Sequence, residues 1–133
     1  MGRRDRIPEE LRAKMDELET ATRELTRLDL WIAFDYGSRA EIAEAARRIV
    51  EDGIAADEVD EAAVAERLQA PDLPDPDILL RASGERRISN FLLWQCAYSE
   101  LIFTDTLWPD FGEDDLRRAL DEYARRERRY GGR

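Results

Sequence analysis

Apolar residues first recur with a helical step. Leu11, Met15, Leu18, Leu25 and Leu28 stand mostly three or four apart behind Pro8-Glu9-Glu10. A proline in the first turn and acids at the positive end of the helix dipole predict a helix over 8–27. The pattern then changes: Leu28 to Phe34 is a compact apolar run with an alternating component and the β-favouring Trp31, Ile32 and Phe34. Closed by Asp35-Tyr36-Gly37-Ser38, it predicts a strand feeding a tight turn. From Arg39 the spacing of Ile42, Ala45/Ala46 and Ile49 returns to the helical period and stops near Asp52-Gly53. A second helical stretch follows over about 58–69, and Pro71, Pro74 and Pro76 stiffen the connection after it. Asp77-Ile78-Leu79-Leu80 reads as a short strand, Arg81 to Ile88 as a polar loop, and Ser89 as the N-cap of a helix reaching Tyr98. Leu101 to Thr104 is a candidate third strand, Trp108-Pro109-Asp110-Phe111 a break, and Leu116, Leu120 and Tyr123 mark a last helix.

Strands separated by helices predict βαβ units and a parallel sheet. With about three strands, the chain is expected to form an α/β fold that is part of a parallel sheet flanked by helices, because parallel strands want both faces and both edges covered. The start of the chain offers no strand followed by a glycine-rich phosphate loop. Residues 1–133 are therefore expected to form a single partial domain, and its apolar surface is expected to associate with another chain or a second copy.

Charge narrows the choice of partner. The 133 residues carry 21 Lys+Arg against 31 Asp+Glu, a formal net charge of −10, with 39% charged and 43% hydrophobic residues. The apolar fraction suffices for a packed core. The net negative sign argues against a general grip on nucleic acid or an anionic membrane, which need an excess of cations. Lys14 is the one lysine, so any anion here meets planar, fork-shaped guanidinium groups, which suit phosphate. One cysteine, Cys96, and no histidine leave out an internal disulfide and a His-based triad or zinc site. The N-terminus lacks an apolar leader core, and the uncharged run Ile88 to Ser99 is too short for a transmembrane segment. A cytoplasmic protein is expected, with peripheral membrane contact left open.

The segment Arg81-Ala-Ser-Gly-Glu-Arg-Arg87-Ile88-Ser89-Asn90 carries the most chemistry. It lies between a predicted strand and a predicted helix, where ligands bind in open α/β sheets. Arg81 and Arg87 could clamp phosphoryl oxygens, with the Ser89 hydroxyl and the N–H groups of Ile88 and Ser89 as further donors. The alternative is that the arginines are solvated and Ser89 only caps a helix. Glu100 could turn a carboxylate toward the same place as a ligand for a hard cation such as magnesium, or be a surface charge. The aromatic set Trp94, Tyr98, Phe103, Trp108 and Phe111 and the thiol of Cys96 read as core. The tail Arg125-Arg126-Glu127-Arg128-Arg129 reads as a solvated helix end that could also reach a neighbour's site.

The block from Asp75 through Arg81-Ala-Ser-Gly-Glu-Arg-Arg-Ile-Ser-Asn-Phe to Glu100, the following Leu-Ile-Phe-Thr-Asp-Thr-Leu-Trp-Pro-Asp-Phe111 and the terminal Arg-Arg-Tyr-Gly-Gly closely resemble the C-terminal half of the cis-prenyltransferase (undecaprenyl diphosphate synthase) family. Leu30-Trp-Ile-Ala-Phe-Asp-Tyr-Gly-Ser-Arg-Ala-Glu-Ile42 resembles that family's central strand and turn. The resemblance implies that Arg81, Arg87, Ile88 and Ser89 bind the diphosphate of isopentenyl diphosphate and that Glu100 is a Mg2+ ligand. It also implies that Arg129 and Gly131 belong to an Arg-x-Gly motif crossing a homodimer interface to the partner's diphosphate. The implied reaction is cis condensation of isopentenyl diphosphate onto an allylic prenyl diphosphate, with magnesium-assisted loss of diphosphate.

The departures are as informative. Nothing in the chain matches the family's Asp-Gly-Asn-Gly-Arg phosphate loop or its Phe-Ser-x-Glu-Asn-Trp segment. The allylic site is therefore expected only if a missing half is supplied, and the chain alone is expected to be inactive. Asp35 and Ser38 stand where the family more often has Asn and Gly, and Arg86 where a His is frequent. The competing expectation is a non-catalytic partner subunit that donates its Arg-x-Gly tail to a separate catalytic chain.

Overall fold

The computed structural model describes residues 1–126, which divide into two compact units, Met1–Pro71 and Asp72 onward. In the first unit, helix α1 (Glu9–Thr22) follows a 3-10 turn at Arg4–Arg6. It is shorter than predicted and buries none of its residues, so Leu11 and Leu18 stay exposed. Helix α2 (Ser38–Glu51) begins after Gly37 and buries Ser38, Glu41, Ala45 and Ile49, an i, i+3, i+7, i+11 stripe. It stops where Gly53, at φ +70°, lets the chain reverse: Ile54 N–H bonds the Ile49 carbonyl at 3.2 Å and Gly53 N–H that of Val50 at 3.2 Å. Helix α3 (Glu61–Ala65), capped by Asp60 Oδ1 on the Ala63 N–H at 2.8 Å, packs on α2 and is all that forms of the helix expected over 58–69.

The strand expected over 28–34 is not a ladder. A strand exists by its cross-strand bonds, and here the segment has one parallel bridge, Gly2 with Phe34, made by Arg3 N–H to Phe34 O (3.2 Å) and Phe34 N–H to Met1 O (3.0 Å). Leu28, Leu30, Trp31, Ile32 and Phe34 are exposed. The bridge explains the glycine. Gly2 sits at φ +106°, and a Cβ there would lie 1.9 Å from the Phe34 carbonyl oxygen. Its N–H donates to Gln69 Oε1 at 2.7 Å, and Gln69 N–H donates to Glu41 Oε1 at 3.0 Å. The Tyr36 hydroxyl donates to Glu41 Oε2, so the buried Glu41 carboxylate, 1% exposed, has a donor on each oxygen.

The second unit holds a two-stranded parallel sheet, β1 (Ile78–Arg81) beside β2 (Glu100–Phe103). The register sets Ile78 opposite Glu100, Leu79 opposite Leu101, Leu80 opposite Ile102 and Arg81 opposite Phe103. Two of the three expected strands are therefore present, each one residue off its expected bounds. Helix α4 (Glu113–Arg125) packs on β2 and contributes the buried Ala119, while Leu79, Leu92, Cys96 and Ile102 complete the core of this unit. The helix expected from Ser89 to Tyr98 does not form. Ser89, Asn90 and Leu92 adopt φ of 54°, 63° and 46°, left-handed values that end a right-handed helix, and the stretch runs as consecutive turns.

Candidate anion-binding site

The loop from Ser83 to Ser89 leaves the carboxyl end of β1 and is braced from below. Ser83 N–H bonds Thr106 O and Gly84 N–H bonds Thr104 O, each at 2.9 Å, which ties the loop to the exit of β2. Gly84, at φ +73°, holds a left-handed conformation that favours glycine. Thr106 in turn donates its hydroxyl to Asp115 Oδ1 at 2.8 Å, anchoring the brace to the first turn of α4.

Arg81, whose side chain is 24% exposed, organises the loop. Its Nη1 donates at 2.6 Å to the Arg87 carbonyl and at 2.6 Å to Ser89 Oγ. Ser89 therefore meets Arg81 in place of a helix end, which corrects its expected role as N-cap. The Arg81 Nη2 donates to Glu85 Oε2, and Glu85 Oε1 accepts from Arg87 Nη2. One carboxylate thus spans the two guanidinium groups that the sequence singled out. Arg81, Arg87, Ile88 and Ser89 all line a single cavity of about 430 Å³, continued by apolar walls from Ile78, Leu80, Leu92 and Cys96. Burial pushes the Cys96 thiol up from its ordinary value, consistent with a small apolar wall. The sequence reading missed Glu85 and the apolar walls. Its position four residues after Arg81 and two before Arg87 was the available signal.

Glu100 is placed elsewhere. It opens β2 opposite Ile78, three residues along the ladder from the position facing Arg81, or about 10 Å at the strand rise. Its Oε2 accepts from Arg126 Nη1 at 2.7 Å, and Arg126 also donates to Glu122. The two carboxylates, Glu100 first, raise the Arg126 guanidinium above its ordinary value. Among the described residues no group of three or more His, Cys, Asp or Glu is gathered to hold a metal. Glu100 in its pair with Arg126 does not by itself make a magnesium site. Arg129 and Gly131 lie outside the described residues.

Arg81, Arg87 and Ser89 thus stand together at the carboxyl end of a parallel strand of an α/β fold, beside a cavity with apolar walls. The chain belongs to the prenyltransferase family whose model is that of undecaprenyl diphosphate synthase, which it matches over residues 1–131. It is 50% identical over 131 residues to an isoprenyl transferase of Fusobacterium nucleatum, covering 98% of this chain and 56% of that one. It is 47% identical over 135 residues to the geranylgeranyl-diphosphate-specific tritrans,polycis-undecaprenyl-diphosphate synthase of Thermococcus kodakarensis, covering 98% of this chain and 51% of that one. Among solved structures, lavandulyl diphosphate synthase from Lavandula x intermedia in complex with dimethylallyl diphosphate superposes with a TM-score of 0.90 at 40% identity, covering 99% of this chain and 58% of that one. The chain spans about half the length of the curated relatives it matches. None of its described helices is long and apolar enough to cross a membrane.

Proposed function

We propose that this chain carries the isopentenyl diphosphate site of a polyprenyl diphosphate synthase, with the Arg81–Arg87–Ser89 cleft as the diphosphate clamp. The observation that carries the reading is the Glu85 carboxylate spanning Arg81 and Arg87, since two guanidinium groups that share one oxyanion group are spaced to share another. A diphosphate entering the cleft takes over those donors, with the Ser89 hydroxyl and the Ile88 and Ser89 N–H groups at its edge. The apolar wall of Ile78, Leu80 and Leu92 receives the hydrocarbon end and keeps water from it. In the cis condensation, the role of these residues is to hold the isopentenyl unit still and oriented for attack on an allylic partner.

The chain acts in this reading as one partial domain, residues 1–133, whose allylic counterpart is supplied by the family's phosphate-loop half. Magnesium, implied by the family resemblance, would engage Glu100 only together with ligands beyond the described residues and only once Arg126 is released. Arg129 and Gly131 would extend toward the diphosphate of a second copy. The second reading, which the family resemblance leaves open, is a partner subunit without turnover of its own that donates its Arg-x-Gly tail to a separate catalytic chain.

Calorimetry with isopentenyl diphosphate tests the clamp. Arg87→Ala is expected to weaken binding by about 1.5–3 kcal/mol, the range for hydrogen bonds to a charged group. Equal affinity in the wild type and the variant would remove the site from this loop.

A further inference from the structure

We infer that Thr106, through its hydroxyl bond to Asp115, is a positioning residue that fixes the spacing of Arg81 and Arg87 without touching what they bind; the inference rests on the clamp reading above. Arg81 ends β1 and is held by the ladder, which the Thr104 N–H extends by a bond to the Arg81 carbonyl at 2.9 Å. Arg87 comes six residues later, so its place relative to Arg81 depends on the turn between them. That turn runs through Ser83 and Gly84 at φ of 80° and 73°. A left-handed serine is uncommon and persists only where its surroundings hold it. The holding bonds are the two N–H groups of Ser83 and Gly84 on the carbonyls of Thr106 and Thr104. The loop between the two arginines therefore takes its shape from residues 104–106.

Those residues are locked by an ordered run of hydrogen bonds. Thr106 N–H donates to Thr104 Oγ1 at 3.3 Å, the Thr104 hydroxyl donates to Thr106 Oγ1 at 3.2 Å, and the Thr106 hydroxyl donates to Asp115 Oδ1 at 2.8 Å. Each hydroxyl has one proton and a carboxylate only accepts, so Asp115 sets the direction of the whole run. Asp115 is itself fixed in the first turn of α4, its side chain 10% exposed and its Oδ2 accepting from Gly112 N–H at 3.1 Å. Removing the Thr106 hydroxyl breaks both side-chain links at once and unties from α4 the residue whose carbonyl holds Ser83. Neither Thr106 nor Asp115 lines the cavity, so any effect on binding has to pass through the loop.

The test measures isopentenyl diphosphate binding to the 133-residue chain by calorimetry, and amide exchange over residues 83–86 by mass spectrometry. Thr106→Val is expected to bind roughly fivefold more weakly, about the effect of one hydrogen bond, and to lose protection over 83–86. Thr106→Ser, which keeps the hydroxyl, is expected to restore both. Arg118→Ala removes an exposed cation from Asp115 but leaves the Thr106 bond, and is expected to bind as the wild type does. Unchanged far-ultraviolet circular dichroism shows that the variants are folded, and Thr106→Ala takes the place of Thr106→Val if valine does not fold. Wild-type affinity in Thr106→Val, unchanged protection over 83–86, or equal weakening in Thr106→Ser or Arg118→Ala would each overturn the inference and leave the clamp in place. Absence of isopentenyl diphosphate binding by the wild type at millimolar concentration would overturn both.

Discussion

A guanidinium serves an anion through the donors it can turn toward it, and Arg81 shows why a fork is needed. It holds the Arg87 carbonyl, Ser89 Oγ and Glu85 at once. A lysine ammonium is a point donor on a flexible stem and cannot span these groups while facing a ligand. Arg81→Lys is therefore expected to weaken isopentenyl diphosphate binding at least tenfold despite keeping the charge. Wild-type affinity by calorimetry would reduce Arg81 to a point charge. Gly2 is decided by space. With Phe34 O 1.9 Å from a would-be Cβ at φ +106°, Gly2→Ala must break the Gly2–Phe34 bridge or strain it. A loss of about 1–3 kcal/mol in denaturant unfolding of the first unit is expected, and an unchanged midpoint would show that the bridge contributes nothing. At this scale the sequence was partly legible. Arg81, Arg87 and Ser89 stood out because they follow a predicted strand, where ligands bind in open α/β sheets. Glu41 did not, because a carboxylate is seldom buried, and only Gln69, 28 residues away in the chain, and Tyr36 make its burial tolerable.

Elements were legible where their order is local. The apolar spacing of α2 and its Asp52-Gly53 stop are written in adjacent residues, and the helix follows them. The run at 28–34 depends on neighbours. Its alternating pattern is correct for a strand, but a strand needs an edge to pair with, and the described residues give it only Met1–Arg3. The stretch 89–98 has the composition of a helix and loses its cap to Arg81. Helix α4 shows the same dependence at its start, where Asp115 Oδ2 accepts from the Gly112 N–H at 3.1 Å, Oδ1 accepts from Thr106, and Arg118 adds a charge. The Gly112 N–H first, and then the Thr106 hydroxyl, hold this carboxyl below its ordinary value. A carboxyl with a lower pKa in the folded state contributes stability that is fully present above the unfolded value of about 3.9 and fades as pH falls through the folded one. Asp115→Asn should lower the melting temperature at pH 7, and the gap to the wild type should close as pH falls below about 4. A gap that stays constant with pH would mean that the carboxylate charge is not what holds the helix start.

For the whole molecule, the question is what half a family's length can do. The chain brings the Arg81–Arg87–Ser89 cleft with its apolar cavity, read above as a diphosphate clamp, and Leu28, Leu30, Trp31 and Ile32 are exposed. Condensation needs a second diphosphate held so that its allylic carbon faces the isopentenyl double bond, and alignment of this kind can supply about 7–11 kcal/mol of the barrier. No stretch of the sequence offers a second glycine-rich cradle after a strand. The 133-residue chain is therefore expected to bind isopentenyl diphosphate and yet form no long-chain product from radiolabelled isopentenyl diphosphate, farnesyl diphosphate and magnesium. Adding a separately expressed polypeptide that carries the Asp-Gly-Asn-Gly-Arg loop is expected to restore turnover, and Arg81→Ala in this chain to abolish it again. If the chain remains inactive with that polypeptide although both components fold and bind each other, the partner-subunit reading gains. Extractable polyprenyl product from the chain alone would mean that it holds an allylic site which neither its sequence pattern nor its described residues reveal.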